Sequence, residues 1–209
     1  MSENILIPGL HDYLDRLLPK RSDVFLEIEK YAETEDFPIV GPLVGNILFQ
    51  YAQLTKAKRI LELGSGFGYS ALWFSQASPN EIICTDLSKD NIQRAMVYFE
   101  KAGVTDKIQF IEGDGLDILR QVEGEFDIIF NDIEKEDYPE AFKEAVPRLR
   151  KGGLLITDNV LWDGKVVDSS PKEEATIGVK EYNRLAFSDP QVLSVIIPIR
   201  DGLGVSIKM

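Results

Sequence analysis

The sequence has one cysteine, one histidine and no long apolar run. Because Cys84 has no partner in the chain, no internal disulfide can form, and we expect a reducing, cytoplasmic location. With His11 as the only histidine, Ser-His-Asp chemistry and His-rich zinc sites are not expected. No apolar stretch approaches the roughly 18 residues of a membrane span. The first twenty residues also lack the basic-then-apolar order of a secretory signal.

Positive charge is scarce as well. Lysine and arginine total 23 against 35 acids, which gives a net charge of −12. This balance disfavours broad nucleic-acid binding, which depends on neutralising phosphates. Arg16, Lys20 and Arg21 lie close together and could form a small basic patch, although a solvated helix end is the simpler interpretation. With 209 residues, of which 44% are hydrophobic, we expect a single domain over 1–209.

Apolar spacing predicts the order of the elements. Residues 9 to about 54 have helical periodicity, with an interruption around 37–41. From Lys58 onward, seven short apolar segments alternate with helical ones, and the link "RDG" joins the last two. The pattern predicts an α/β fold: a Rossmann-like, seven-stranded, mostly parallel sheet with an antiparallel edge hairpin and helices on both faces. Residues 1–54 would form an N-terminal helical extension or lid, and 55–209 the core.

Acidic residues follow five of the predicted strands. They lie in Glu62–Gly68, at Asp86, in Gly113–Asp114, at Asp132 and in Asp158–Asn159. A single acid in such a place is commonly a helix cap. In parallel α/β sheets, however, ligands bind beyond the carboxyl ends of the strands. Acids at all five ends therefore favour a ligand site there.

The segment "ELGSGFGYS", residues 62–70, predicts a glycine-rich turn between a strand and a helix. It lacks the third glycine of the dinucleotide fingerprint, because position 69 is Tyr69, and it lacks the Gly-Lys-Ser/Thr of a P-loop. Asp86 follows Gly64 by 22 positions and could accept hydrogen bonds from both ribose hydroxyls of a nucleoside, or be an exposed turn carboxylate. Gly113–Gly115 would border the adenine. A nucleoside without a pyrophosphate loop points to S-adenosylmethionine (SAM).

Four segments carry a more specific resemblance. "ELGSGFGYSALWF", "FNDIEKEDY", "ITDNVLWDGKV" and "IRDGLGVSIK" occur in this order, within a match from about Leu14 to Lys208. They resemble the class I SAM-dependent methyltransferases, and within them the small metal-dependent O-methyltransferases that include catechol and caffeoyl-coenzyme A enzymes. Two further segments, "YLDRLLPKRSDVFLEIEKYAETEDFPIV" and "EYNRLAFSDPQVLSVIIPIRDGLG", resemble the bacterial tRNA 5-hydroxyuridine methyltransferases.

The resemblance implies roles for individual residues. Asp132, Asp158 and Asn159 would bind a divalent cation, and such oxygen donors suit Mg²⁺, or Mn²⁺ or Ca²⁺. Lys135, with Asp132 in the catalytic set, would be a general base or phenolate stabiliser rather than a solvated lysine. The resemblance also implies a homodimer. The implied SAM-binding set is Val40, Glu62, Gly64, Ser65, Gly66, Tyr69, Ser70, Asp86, Leu87, Gly113, Asp114, Gly115 and Asp132.

Three functions are compatible with these features. The first is O-methylation of a small catechol-like or phenolic hydroxyl, the second is methylation of a hydroxylated uridine in tRNA, and the third is SAM binding without catalysis. The family more often has Ile-Asp-Ala before the lysine, so Glu134 could alter which acceptor is used. We expect Trp73 in the core, whereas Trp162 could either flank an aromatic acceptor or pack internally.

Overall fold

The computed structural model describes residues 9–209, so the first eight residues of the predicted extension lie outside the description. The helices are α1 (Leu10–Leu17), α2 (Asp23–Thr34), α3 (Gly41–Thr55), α4 (Tyr69–Ser75), α5 (Lys89–Ala102), α6 (Gly115–Gln121), α7 (Tyr138–Arg148) and α8 (Glu174–Ser188). The strands are β1 (Arg59–Leu63), β2 (Glu81–Asp86), β3 (Ile108–Glu112), β4 (Phe126–Asn131), β5 (Leu149–Thr157), β6 (Val192–Ile197) and β7 (Leu203–Lys208). The predicted helical region thus corresponds to α1–α3.

The seven strands form one sheet in the order β3-β2-β1-β4-β5-β7-β6. Strands β1 to β5 pair in parallel, and β7 pairs antiparallel with both β5 and β6. The predicted mostly parallel sheet with an antiparallel edge hairpin is therefore confirmed. The order reverses between β1 and β4, and a crevice at the carboxyl ends is expected at such a reversal.

Helices cover both faces of the sheet, as predicted. Side chains alternate along β1 and β4, so Ile60 and Ile128 pack into one core while Leu61 and Ile129 pack into the other. Helices α2 to α5 contribute to the first core and helices α6 to α8 to the second. The predicted core position of Trp73 is also confirmed, because its ring is buried against Phe25.

Local signals define the ends of several elements. Ser88 caps α5 by accepting a hydrogen bond from the Asn91 amide at 3.3 Å, and Gly103 ends this helix with a left-handed φ of 67°. Strand β5 is the longest of the seven and begins at Leu149, five residues before the apolar run Leu154–Ile156. Its register against β4 shifts between Phe126 and Ile128, so a bulge divides the strand into two paired parts.

Among residues 9–209, no helix combines the length and apolarity that crossing a membrane would require.

Candidate active site

The strand ends surround a cavity of about 750 Å³. That volume lies within the range usual for small-molecule sites. The cavity wall contains every residue of the predicted site except Glu62. These residues are Val40, Gly64, Ser65, Gly66, Tyr69, Ser70, Asp86, Leu87, Gly113, Asp114, Gly115, Asp132, Lys135, Asp158 and Asn159.

The glycine turn after β1 lies against the end of β4. A Cβ on Gly64 would lie 2.5 Å from the Asp132 carbonyl oxygen, and Gly64 has a φ of 78°, so this position favours glycine on both grounds. The Asp132 amide in turn donates to the Leu63 carbonyl at 3.0 Å. The close approach brings the glycine turn and Asp132 into one wall.

Asp86 and Asp114 combine structural roles with their places in the wall. The Asp86 carboxylate accepts hydrogen bonds from the Gly66 amide at 2.9 Å, the Ser88 amide at 2.8 Å and the Asn91 side chain at 3.1 Å. A carboxylate has about four acceptor positions, so Asp86 retains capacity for a ligand. Asp114 caps α6, since its Oδ1 accepts from two amides of that helix. The helix-cap interpretation is therefore correct for Asp114, and its Oδ2 has no such commitment.

Tyr69 lines the cavity, but its hydroxyl points elsewhere. The phenol donates to Glu29 Oε1 of α2 at 2.7 Å, and the Arg21 Nε lies 2.8 Å from the same oxygen. The phenol therefore links helix α4 to the N-terminal helices.

Glu62 does not reach the cavity wall, because its side chain is 0% exposed within the sheet. Burial raises its pKa to about 7, and the neighbouring hydroxyls of Ser70 and Ser65, which do line the cavity, only partly offset that rise. Cys84 Sγ lies 3.5 Å from Glu62 Oε2. Glu62 is thus positioned to act on the cavity only through its serine neighbours.

We expect the Glu62→Gln variant to lose part of the pH dependence of stability. The folded-state pKa of Glu62, about 7, lies above its ordinary value of 4.5. The folded protein therefore keeps a proton that the unfolded chain releases, and the free energy of unfolding falls as pH rises from about 5 to 8. The contribution of Glu62 is at most about 3 kcal/mol. Urea unfolding at both pH values measures it, and an equal fall in wild type and variant would contradict it.

Asp132, Asp158 and Asn159 form an acidic cluster at the ends of β4 and β5. The Asp158 amide donates to the Asn131 carbonyl at 3.2 Å, which aligns the two strand ends. Asp158 is 4% exposed. Burial raises its pKa to about 7, and the neighbouring charge of Asp132 adds to that rise. Asn159 has a left-handed φ of 57°, so the chain turns directly after Asp158.

The acidic cluster fits a hard cation. Asp158 Oδ1 is buried and has no hydrogen-bond partner among the described residues, and the charges of Arg200 and Lys135 offset only part of the cost of burying this carboxylate. Between residues 9 and 209, no group of three or more His, Cys, Asp or Glu side chains has the geometry of a metal site. The cluster instead combines two carboxylates with an amide, and all three supply the oxygen donors that Mg²⁺ and similar ions prefer.

Lys135 borders the acidic cluster. Its Nζ donates to Asp132 Oδ1 at 3.1 Å and to the Ile133 carbonyl at 3.2 Å, and its side chain is 14% exposed. The same nitrogen lies 5.3 Å from the ring centroid of Tyr138 and 5.8 Å from that of Trp162. Lys135 is therefore held in place and is not an ordinary solvated lysine.

Helix α8 supports the turn that carries Lys135. A Cβ on Gly178 would overlap the Lys135 carbonyl oxygen. We expect Gly178→Ala to destabilise the protein by about 1–3 kcal/mol, because the helix or the turn must move to remove the overlap. Displacement of Lys135 should also lower kcat. Urea unfolding and initial-rate measurements check both effects, and a variant with wild-type stability and rate would contradict this close packing.

Trp162 lies between the cavity and the second core. Its ring lines the cavity, and it also packs against the second core. Lys165 lies on its outer side, with Nζ 5.1 Å from the ring centroid. Asp163, the residue after Trp162, donates a hydrogen bond from its backbone amide to Asp201 Oδ1 at 2.6 Å. This bond connects the loop that carries Trp162 to the β6–β7 turn.

Several wall residues were not predicted. Phe37, Ile133, Asp137, Arg200 and Asp201 also line the cavity. Phe37 packs its ring 4.4 Å from that of Phe67, and Arg200 Nη1 donates to the Ile39 carbonyl at 2.8 Å. The sequence could have indicated Arg200 and Asp201. Because β7 runs antiparallel to β5, the turn that precedes β7 must lie at the end of the sheet where β5 finishes.

This sheet order, with a glycine turn after β1 and acids at the neighbouring strand ends, defines a Rossmann-like methyltransferase. A family model described as O-methyltransferase matches residues 27–209, and the chain belongs to this family. The catechol O-methyltransferase of Niastella koreensis is 32% identical over 98% of each chain. The caffeoyl-CoA O-methyltransferase 1 of Eucalyptus globulus is 34% identical, over 76% of this chain and 70% of the relative.

A solved structure agrees with this assignment. The O-methyltransferase TomG of Streptomyces achromogenes, involved in tomaymycin synthesis and solved in complex with SAM, superposes with a TM-score of 0.90 and 26% identity over 100% of both chains. The predicted resemblance to the SAM-dependent O-methyltransferases that include catechol and caffeoyl-CoA enzymes is confirmed. The chain is accordingly an enzyme, and the interpretation as a non-catalytic binding protein is not retained.

Proposed function

We propose that the enzyme uses SAM and a divalent cation, Mg²⁺ in the first instance, to methylate a hydroxyl of a small catechol-like or phenolic acceptor. One observation carries the cation requirement: the buried Asp158 Oδ1 has no hydrogen-bond partner among the described residues and lies in a wall shared with Asp132. A relative named catechol O-methyltransferase supports the acceptor class. The SAM bound in the TomG structure supports the cofactor.

The glycine turn and the ends of β2 and β3 would bind SAM. The remaining acceptor capacity of Asp86 suits the ribose hydroxyls, and Gly113–Gly115 would border the adenine. Ser65, Ser70 and the backbone at Val40 would hold the methionine end. Glu62 would contribute through Ser65 and Ser70, since its own side chain is fully buried.

Asp132, Asp158 and Asn159 would hold the cation on the acceptor side. When bound, a divalent cation lowers the pKa of a coordinated hydroxyl and orients it. Lys135 would take the hydroxyl proton or stabilise the phenolate, from its position beside Asp132 Oδ1. Trp162 would flank the aromatic ring and keep water from the reacting oxygen.

Methyl transfer to a panel of acceptors tests this function. Purified protein is incubated with labelled SAM and a catechol, caffeoyl-CoA or unmodified tRNA, with and without EDTA. We expect label in the catechol, loss of transfer with EDTA and recovery when Mg²⁺ is added in excess. Label in tRNA alone would contradict the acceptor, and transfer that EDTA leaves unchanged would contradict the cation. The net charge of −12 also disfavours tRNA.

The proposal also covers the domain organisation, the oligomeric state and the cellular location of the enzyme. We propose one domain over 1–209, with 1–54 as a helical extension or lid and 55–209 as the SAM-binding core, and a homodimer in the cytoplasm. The compartment rests on the single cysteine, Cys84, which is buried and unpaired. Light scattering coupled to size-exclusion chromatography measures the oligomeric state, and a monomer at working concentration would contradict the dimer.

A further inference from the structure

The charge of the cavity wall is strongly one-sided. Lys135 and Arg200 are the only lysine or arginine residues in the wall among the described residues, and Lys135 is paired with Asp132. Arg200 has no carboxylate within 4.0 Å among residues 9–209. The eight acids of the wall are Asp86, Asp114, Asp132, Glu134, Asp137, Asp158, Asp163 and Asp201. Among residues 9–209, Arg200 is therefore the one cation of the wall outside a close ion pair, and its charge acts on Asp158 and Asp201 from a longer distance.

Arg200 is held so that part of its guanidinium is available. Its Nη1 donates to the Ile39 carbonyl at 2.8 Å, which is its one hydrogen bond among the described residues. A guanidinium has five N–H donors in a planar fork, so the Nη2 and Nε donors are left for a ligand. Gly41 makes room for the group, since a Cβ there would lie 3.3 Å from Nη1.

The backbone of Arg200 has an unusual conformation. It lies in the turn between β6 and β7 with a left-handed φ of 48°, a conformation that few residues other than glycine adopt. Such strain costs on the order of 1 kcal/mol and clusters at ligand-binding sites, and Asn159, Trp162 and Asp163 of the same wall share it. The guanidinium contacts the Ile39–Gly41 segment, and its charge also acts on Asp158, so it borders the acidic cluster on the proposed acceptor side of the cavity.

We infer that Arg200 binds a carboxylate on the acceptor, so that the preferred acceptors are catechol-type acids and not neutral catechols. This inference rests on the proposed function of the site. The planar fork of arginine matches a carboxylate, and the surrounding acids would repel that group from any other part of the wall. A single negative charge also suits one cation better than a phosphate dianion would, given eight acids around it.

Matched acceptors test the assignment. The substrates are 3,4-dihydroxybenzoate and 3,4-dihydroxybenzamide, which share the reacting hydroxyls and differ in charge. The proteins are wild type, Arg200→Gln, Arg200→Lys and Arg184→Gln, the last of which removes an exposed positive charge from α8. We expect wild type to favour the acid in kcat/KM by about 10- to 100-fold, in keeping with a charged hydrogen bond. Arg200→Gln should lose that preference through KM, so that its kcat/KM falls more on the acid than on the amide. Arg200→Lys should keep part of the preference, and Arg184→Gln should match wild type.

Two results would overturn the inference. An unchanged preference in Arg200→Gln would remove Arg200 from recognition. An equal loss on acid and amide would assign the residue to holding the Ile39 segment alone. Binding of the same two compounds, followed by quenching of tryptophan fluorescence in the presence of S-adenosylhomocysteine, measures the preference without transfer. If the acid binds more tightly than the amide but neither compound is methylated, the role of Arg200 in binding a carboxylate is supported, and the proposal that a catechol hydroxyl is methylated is contradicted.

Discussion

Replacing Asp158 with alanine is expected to lower kcat by on the order of 10²- to 10³-fold while leaving the dissociation constant of SAM nearly unchanged. The proposed cation would lose one of its two carboxylates, and such an ion supplies several kcal/mol of charge stabilisation, with each 1.4 kcal/mol worth a factor of ten. Asp158 lies at the end of β5, apart from the glycine turn that would hold the cofactor. Labelled transfer measures kcat, and isothermal titration measures SAM binding.

The isosteric variant Asp158→Asn separates loss of the charge from loss of packing. Its activity should fall as in Asp158→Ala. Its metal-free form should have a higher thermal midpoint than wild type, because a buried carboxylate that repels Asp132 has been removed. Added Mg²⁺ should raise the midpoint of wild type but not of either variant. Full activity of either variant would remove Asp158 from the site, and an equal loss of SAM affinity would move it to the cofactor end.

The sheet was predictable because each strand contains a short apolar run, and because apolar residues recur at helical spacing in the segments that connect the parallel strands. The link "RDG" between the last two runs was too short for a helix, so an antiparallel pair was the only geometry it allowed. The bulge in β5 was not predictable in the same way. It depends on Gly152 adopting a φ of 75° while β5 pairs against β4, and that register is set by tertiary contacts.

The convergence of the acids was also predictable, because parallel strands end at one edge of a sheet. What each acid does there depends on side-chain direction. Asp114 caps a helix, Asp86 is oriented by three donors, and Glu62 is buried within the sheet away from the cavity wall. The alternation of side chains along β1 does indicate that Glu62 shares the face of Ile60. The conformation of the hairpin turn, which presents Arg200, could not be read from the residue types.

Replacing Lys135 with methionine is expected to lower kcat by about 10²- to 10⁴-fold, the usual contribution of a general base. Methionine keeps much of the apolar stem that packs near Tyr138 and Trp162 but removes the nitrogen beside Asp132. SAM affinity should change little. Stability should change by no more than about 1 kcal/mol, since the lost ion pair is partly exposed. Initial rates, SAM titration and urea unfolding check these three expectations, and near-wild-type turnover would contradict a catalytic role.

The Lys135→Arg variant then distinguishes the two chemical roles proposed for the lysine. Arginine keeps the positive charge next to Asp132 but cannot be deprotonated in a protein, so it cannot act as a base. If the charge stabilises the phenolate, Lys135→Arg should recover most of the activity lost in Lys135→Met. If the amine takes the hydroxyl proton, both variants should be equally slow. Acceptors of lower phenol pKa sharpen the comparison, because an acceptor that is already ionised at neutral pH needs no base. Such an acceptor should restore the rate of both variants only if the amine of Lys135 acts as the base.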